Sequence, residues 1–185
     1  MSIFFTSDQH YGHINILKYC NRPFPSAKEM DEKMIANHNQ IVKSDDVVYI
    51  VGDFTLGNFD FAVSIIKRLS GNLVFLQGSH DGRWWRDDLY DGRVRAVSPI
   101  HVIEPDKANG LLVPIVLCHY AMRSWSRSHY ASWHLFGHHH GRLPPFGLSF
   151  DVGVDTHHFY PWSLDEVAEK MKTLMPIVDY SKRSQ

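Results

Sequence analysis

The apolar runs of this chain end, one after another, on side chains that can bind a metal. The run from Ile3 to Phe5 leads to Asp8 and His10, and that from Val47 to Val51 to Asp53. Leu73 to Leu76 leads to Ser79, Leu111 to Leu117 to His119, and Trp133 to Phe136 to His138 and His140. Ligands delivered from segments so far apart form one site only if the fold gathers them at one edge. Residues just beyond the carboxyl ends of parallel strands meet at such an edge. The pattern therefore predicts an α/β scaffold that aims oxygen and nitrogen ligands at one cleft.

The segments between these runs support that reading. A short helix is expected from Ile14 to Tyr19, before Pro23 and Pro25. A second is expected from Met30 to Val42, where Met30, Met34, Ile35, Ile41 and Val42 recur at helical spacing after Ser26 as N-cap. Val47 to Val51 is continuously β-branched and aromatic, as in a strand buried on both faces. A helix from Phe61 to Leu69 and a strand from Leu73 to Leu76 complete a strand and helix alternation, which predicts a parallel sheet with right-handed crossovers. The second half changes character: Val94 to Ile103 and Leu111 to Leu117 read as strands with no helix between them. Pro114 cannot donate to a ladder, so its strand is expected at an edge or bulged. A strand from Leu148 to Val154 and a helix from Leu164 to Met175, capped by Ser163, are expected last, and the tail 181–185 is expected to fray.

At 185 residues, with 44% apolar and 21% charged residues, the chain suits a single domain, 1–185, with a substantial core. Disorder and a membrane-spanning chain are both disfavoured. The start lacks a basic segment and reaches Asp8 before any signal core could form, so it is expected to be the first strand and the location cytoplasmic. Cys20 and Cys118 make no disulfide framework and are expected to be reduced. A net charge of -1 excludes a globally basic nucleic-acid binder and leaves local basic patches open.

Asp8 and His10 are separated by one residue, so in extended backbone they face the same side, and His138 and His140 repeat the arrangement. Carboxylate and imidazole without thiolate suit Mn, Fe, Zn, Ni or Co better than a structural zinc site. An Asp at the end of a central strand can bridge two ions about 3.5 to 4 Å apart, and Asp53 is the candidate. Two divalent ions bring about four positive charges against two carboxylates, leaving a site of roughly +1 after a bridging hydroxide, which attracts phosphate.

Taken in order, Asp8-Gln9-His10, Gly52-Asp53, Gly78-Ser79-His80-Asp81, Cys118-His119 and Gly137-His138-His139-His140 resemble the calcineurin-like metallophosphoesterases, in their small single-domain bacterial and phage form. Gly12-His13-Ile14-Asn15-Ile16 and Asp151-Val152-Gly153-Val154-Asp155 resemble the small-enzyme subgroup as well. The resemblance implies a four-layered αββα sandwich and two divalent metal ions, Mn foremost. One ion would be held by Asp8, His10, Asp53 and His140, the other by Asp53, the residue at 79, His119 and His138. It also implies hydrolysis of a phosphate ester by in-line attack of a metal-bridging hydroxide, with His80 meeting the phosphate or the leaving oxygen. Ser79 departs from the family's Asn, and a hydroxyl is the poorer ligand, so a weaker second ion is expected.

Asp81 either orients His80 or caps a turn. His13 either faces the first ion or the phosphate, or caps the helix that follows. Arg83, Trp84, Trp85 and Arg86, and after His119 Arg123, Trp125, Arg127 and His129, are candidate substrate contacts, since indole faces and guanidinium groups could stack a base and hold a phosphate; Trp84 and Trp85 could equally fill core while the arginines are solvated. His38, His101, His157 and His158 are expected to be packing or surface residues. The functions in play are a phosphodiesterase on a nucleotide or nucleic-acid substrate, a phosphomonoesterase on a small molecule or phosphoprotein, and a silent binding module. No membrane partner is expected.

Overall fold

The structure, a computed structural model, describes residues 1–85 and 92–177; Arg86 and the tail 181–185 lie outside the described residues. Strands β1 (Ile3–Thr6), β2 (Val47–Val51), β3 (Asn72–Leu76) and β4 (Val94–Ala96) pair in parallel, and β9 (Trp162–Ser163) closes that sheet antiparallel to β1, in the order β4-β3-β2-β1-β9. The second sheet runs β5-β6-β7-β8, from β5 (Ile100–Ile103), β6 (Ile115–Cys118), β7 (Trp133–Phe136) and β8 (Ser149–Asp151). Only β5 in it is antiparallel. The helices are α1 (Ile16–Tyr19), α2 (Ala27–Ile41), α3 (Phe59–Ile66) and α4 (Leu164–Lys172). None of the described helices is long and apolar enough to cross a membrane.

Alternation along the strands divides the interior in two. Phe4, Val48, Ile50, Leu73 and Phe75 pack against Met30, Met34 and Ile35 of α2 and Ala62, Ile65 and Ile66 of α3. Their neighbours Ile3, Phe5, Tyr49, Val51, Val74 and Leu76 face Ile115, Leu117, Leu135 and Phe150 of the second sheet, joined by Leu164, Val167 and Met171 of α4. The first sheet is apolar on both faces, which is why its strands read as unbroken apolar runs. The outer face of the second sheet buries Val116, His134 and Phe136, and Trp125 from the loop after β6 lies over His134 at a ring separation of 5.3 Å.

Local signals set the helix ends. Ser26 accepts from the Glu29 N–H at 3.2 Å to start α2, and Asn58 accepts from Phe61 at 3.0 Å, so α3 begins earlier than its apolar spacing suggested. Ser163 and Glu166 form a reciprocal capping box on α4. The expected strand from Val94 to Ile103 is two strands in different sheets, because residues 97–99, ending in Pro99, carry the chain from one sheet to the other. Pro114 is neither at an edge nor in a bulge: β6 is an internal strand that starts just after it, and the Pro114 carbonyl accepts from Trp133 at 2.9 Å. β9 was not anticipated, being only two residues long ahead of a helix cap.

His134 is fully buried and satisfied as a neutral ring, since Nδ1 donates to the Val116 carbonyl at 2.9 Å and Nε2 accepts from the Met122 N–H at 3.1 Å. Burial lowers its proton affinity below that of an ordinary imidazole, near 6.5. The unfolded chain therefore binds a proton that the folded chain refuses. The stability this contributes is complete above about pH 6.5 and is lost as pH falls below it. Urea denaturation between about pH 7 and pH 5 is expected to show stability falling with acidification. His134→Asn should remove up to one proton from that dependence, about 1.4 kcal/mol per pH unit.

Candidate metal centre

The loops after β1, β2, β6 and β7 meet at one end of the two sheets and are stitched together by backbone. The N–H groups of Asp8 and His10 donate to the carbonyls of Gly52 (3.1 Å) and Asp53 (3.0 Å), Gly137 donates to His119 (3.0 Å), and Val154 donates to Ser7 (3.0 Å) across the sheets. The expectation that Asp8 and His10, and then His138 and His140, share a side through extended backbone is corrected. All four are left-handed, with φ of 59°, 53°, 70° and 51°, and Asp53 joins them at 55°. Such backbone is costly for residues with a Cβ and gathers at functional sites. Glycine makes room for it: a Cβ at Gly137 would strike Ser7 Oγ and Asp8 Oδ2, and one at Gly78 would strike the Asp53 backbone nitrogen and Oδ1.

Two groups of donors result. The ligand atoms of Asp8, His10 and His140 lie within 4.8 Å of one another, and so do those of Asp53, His119 and His138. Asp53 touches both groups, its Oδ2 being 3.3 Å from His119 Nε2 and 3.7 Å from His10 Nε2. Both of those nitrogens are buried without a hydrogen-bond partner. Leaving buried polar atoms unpaired costs about 1–3 kcal/mol each, so their alignment on one carboxylate fits cations between them. His119 Nδ1 lies 2.9 Å from the Val51 carbonyl; donating there leaves Nε2 with its lone pair. The donors are oxygen and nitrogen, as the sequence suggested. A further grouping of Cys20, His140 and Asp155 is closed to an ion, because Asp155 is engaged by Arg22.

Burial and neighbouring charge set the proton affinities of these side chains in opposite directions. Burial pushes the Asp8 carboxyl up to about 7, and burial holds the His10 imidazole down to about 3. At His119 burial works in the same downward direction, but the Asp53 carboxylate, helped by Asp8, outweighs it and lifts the ring to about 9. Burial would raise Asp53 too; His119, the His80 N–H and His10 prevail and keep it below the usual carboxylate range.

Ser79 stands at the rim, its hydroxyl donating to Asp53 Oδ2 at 3.0 Å. His80 anchors Asp53 through its N–H (2.8 Å), while its half-exposed ring brings Nε2 to 4.0 Å from Asp53 Oδ2. Asp81 does not orient that ring. Its buried carboxylate accepts from the N–H groups of Asp53 (2.8 Å), Phe54 (2.9 Å) and Gly78 (2.7 Å) and from Trp84 Nε1 (2.9 Å), so it ties the loops after β2 and β3 together instead of capping the turn into Gly82. Trp84 is likewise corrected from substrate contact to core, wholly buried against Phe54 and Phe75. His13 lies beside His10, ring centroids 5.6 Å apart, and its side chain caps no helix, since Asn15 is the N-cap of α1 and no side chain caps it. Arg123 lines a cavity of about 370 Å³ with Met122, Phe136, Leu143 and Phe146, and no candidate ligand borders it. The Arg83 side chain, like Arg86, lies outside what is described. His38 Nε2 donates to the Ser70 carbonyl, His101 packs on Tyr49, and His157 stacks on Trp162, as expected of packing residues.

Sequence reasoning missed Asp31, Tyr120, Arg22 and Asp155. Asp31 accepts from the Gly12 N–H with both oxygens at 3.0 Å and so fixes the turn after His10; its signal was a carboxylate inside the apolar stripe of α2. Tyr120, half exposed, sets its ring edge-on to His119 (5.1 Å) and His138 (4.8 Å). Asp155 closes the late Asp-rich segment, where its spacing gave no role.

No family model matches the chain. The protein of unknown function AQ665 from Aquifex aeolicus has the same fold, with a TM-score of 0.67 at 20% identity over 91% of this chain and 98% of that one. The phosphopantetheinyl hydrolase PptH from Mycobacterium tuberculosis, at a TM-score of 0.30 and 14% identity over 70% of this chain and 49% of its own, is too distant to bear on fold or function. The uncharacterized protein MJ1445 of Methanocaldococcus jannaschii is 32% identical, and the match covers 96% of this chain and 97% of that protein. That identity along nearly the whole of both sequences means that the chain belongs to the family of MJ1445.

Proposed function

We propose that this chain is a phosphoesterase working with two divalent cations, a small calcineurin-like metallophosphoesterase acting on a phosphodiester of nucleotide or nucleic-acid type. The observation that carries the reading is Asp53 Oδ2, which faces two buried, unpartnered imidazole nitrogens belonging to two separate ligand groups. The two facing sheets with helices on the first support the αββα sandwich of that family, the loop carrying Trp125 taking the place of the outer helices among the described residues. Free thiols at Cys20 and Cys118 suit the cytoplasmic setting proposed with it.

Bound at these groups, Mn²⁺ or a similar ion would supply a nucleophile at neutral pH and charge for the phosphoryl oxygens. The chain's residues do the rest. Asp53 holds the two groups together, and Ser79 and the His80 N–H hold Asp53. A depression of about 350 Å³ lined by Leu56, Ser79, His80 and Gly82 lies alongside, giving the phosphate an approach to His80 Nε2. That ring donates a proton to the departing oxygen. Trp84 lies in the core, and Tyr120, half exposed beside His119 and His138, offers a flat surface to receive a base or aryl group. A monoester is the second reading, favoured by His13, whose ring beside His10 could serve a free phosphate oxygen.

Parallel assays with bis-aryl and mono-aryl phosphates in Mn²⁺ are expected to show the diester turned over faster; a strong preference for the monoester selects the second reading, and no turnover of either defeats both. Asp53→Asn should lose both ions in a metal analysis, whereas His140→Ala should lose mainly one. An Asp53→Asn protein that still holds a full pair would mean that this carboxylate does not bridge. His80→Ala is expected to keep its metal and lose about 10²-fold or more in kcat, the lower end for acid-base residues.

A further inference from the structure

After α1 the chain turns at Asn21 in the left-handed region, φ 50°, and sends the Arg22 side chain fully inside. The guanidinium donates from Nη1 to the Gln9 carbonyl at 2.8 Å and from Nη2 to the Asp8 carbonyl at 2.6 Å. It also grips Asp155 with two prongs, Nε to Oδ1 and Nη2 to Oδ2, each 2.8 Å. Asp155 Oδ2 in turn lies 2.7 Å from His140 Nδ1. One buried cation thus reaches all three members of the first ligand group: Asp8 and His10 through the carbonyls between them, and His140 through Asp155.

A carboxylate held by a guanidinium is ionised and can only accept. The proton between Asp155 and His140 therefore sits on Nδ1, which leaves the Nε2 lone pair for the cleft. The pair is a poor device for stability alone, since a buried ion pair often contributes no more than apolar side chains of the same volume. Its geometry is specific in another way, because only a planar fork can serve two carbonyls and both oxygens of one carboxylate together.

We propose that Arg22 and Asp155 are positioning residues that fix the tautomer of His140 and the Asp8 to His10 turn, so that the first cation group is arranged before any ion arrives. This rests on the two-cation reading above, but the tautomer can be measured without a metal. In the metal-free protein at alkaline pH, long-range ¹H–¹⁵N spectra of the histidine rings are expected to show His140 protonated on Nδ1, and Asp155→Ala is expected to move that proton to Nε2. Titration with Mn²⁺, followed by metal content and electron paramagnetic resonance, should show Asp155→Asn and Arg22→Met binding one ion about 10- to 100-fold more weakly while the other is retained. Arg22→Lys, which keeps the charge and loses the fork, should not restore the affinity. An Nε2 proton on His140 in the wild type overturns the proposal whether or not the variants fold, as do folded variants that bind both ions with wild-type affinity. A wild type that keeps the Nδ1 proton yet takes up no pair of ions overturns the two-cation reading and leaves Arg22 and Asp155 as residues that position His140.

Discussion

Carboxylates at this end of the fold bind backbone amides, and the rest of the centre depends on that. Asp81 gathers the N–H groups of Asp53, Phe54 and Gly78, Asp31 takes that of Gly12, and Asp151 takes those of Gly141 and Gly153. Each bond replaces a partner that a strand ladder would have provided and lets the chain leave its strand sharply. Asp8, His10, Asp53, His138 and His140 are consequently held at positive φ, where an unsupported residue would relax toward the commoner regions. Charge-assisted bonds of this kind contribute roughly 1.5–3 kcal/mol each, enough to offset local strain of the same order. Removing such an anchor would therefore free candidate ligands whose side chains it does not bind.

The order of the elements and the place of the candidate ligands were legible because they follow from periodicity. An apolar run buried on both faces identifies β2 and β3, and the residue just past each run needs no further information to be assigned to the carboxyl edge. What could not be read is whatever depends on which side of a turn a residue lands. Trp84 and Arg83 follow the same loop, and no local pattern distinguishes an indole filling the core from one lining a cleft; the Asp81 to Trp84 bond decided it. The run from Val94 to Ile103 carries its own break in Ser98-Pro99, a signal outweighed by the apolar and β-branched residues on either side. The convergence of Asp8 with His10 was inferred correctly from the wrong geometry, since left-handed turns bring the pair together without a pleat.

Arg22 illustrates the harder case. In sequence it is a basic residue before a proline, indistinguishable from a surface cation, and nothing links it to Asp155 until the fold closes. Its role is set by long-range pairing with a residue near the other end of the chain. Asp155 itself stood in a recognisable segment, yet its function lies in the ring it touches, and the metal-ligand spacing of His138 and His140 carries no information about a hydrogen-bond partner for Nδ1.

The distribution of satisfied and unsatisfied polar atoms sharpens the assignment of the centre. His38 and His134 are buried and have every contact a neutral ring requires or a backbone carbonyl to meet them, which is how a folded chain treats a histidine used for packing. His10 is buried as deeply, yet neither of its ring nitrogens is paired, and His119 is paired on one side alone. The same interior therefore follows two rules, one for rings that complete the fold and one for rings that face Asp53. A uniform failure of hydrogen bonding would have scattered such atoms through the core. Of the six such atoms among the described residues, four are imidazole nitrogens of His10, His13 and His119, and the other two are Gln9 Oε1 and Asn37 Oδ1. This concentration on the rings at one end of the fold, two of which face Asp53, supports the cation coordination proposed above.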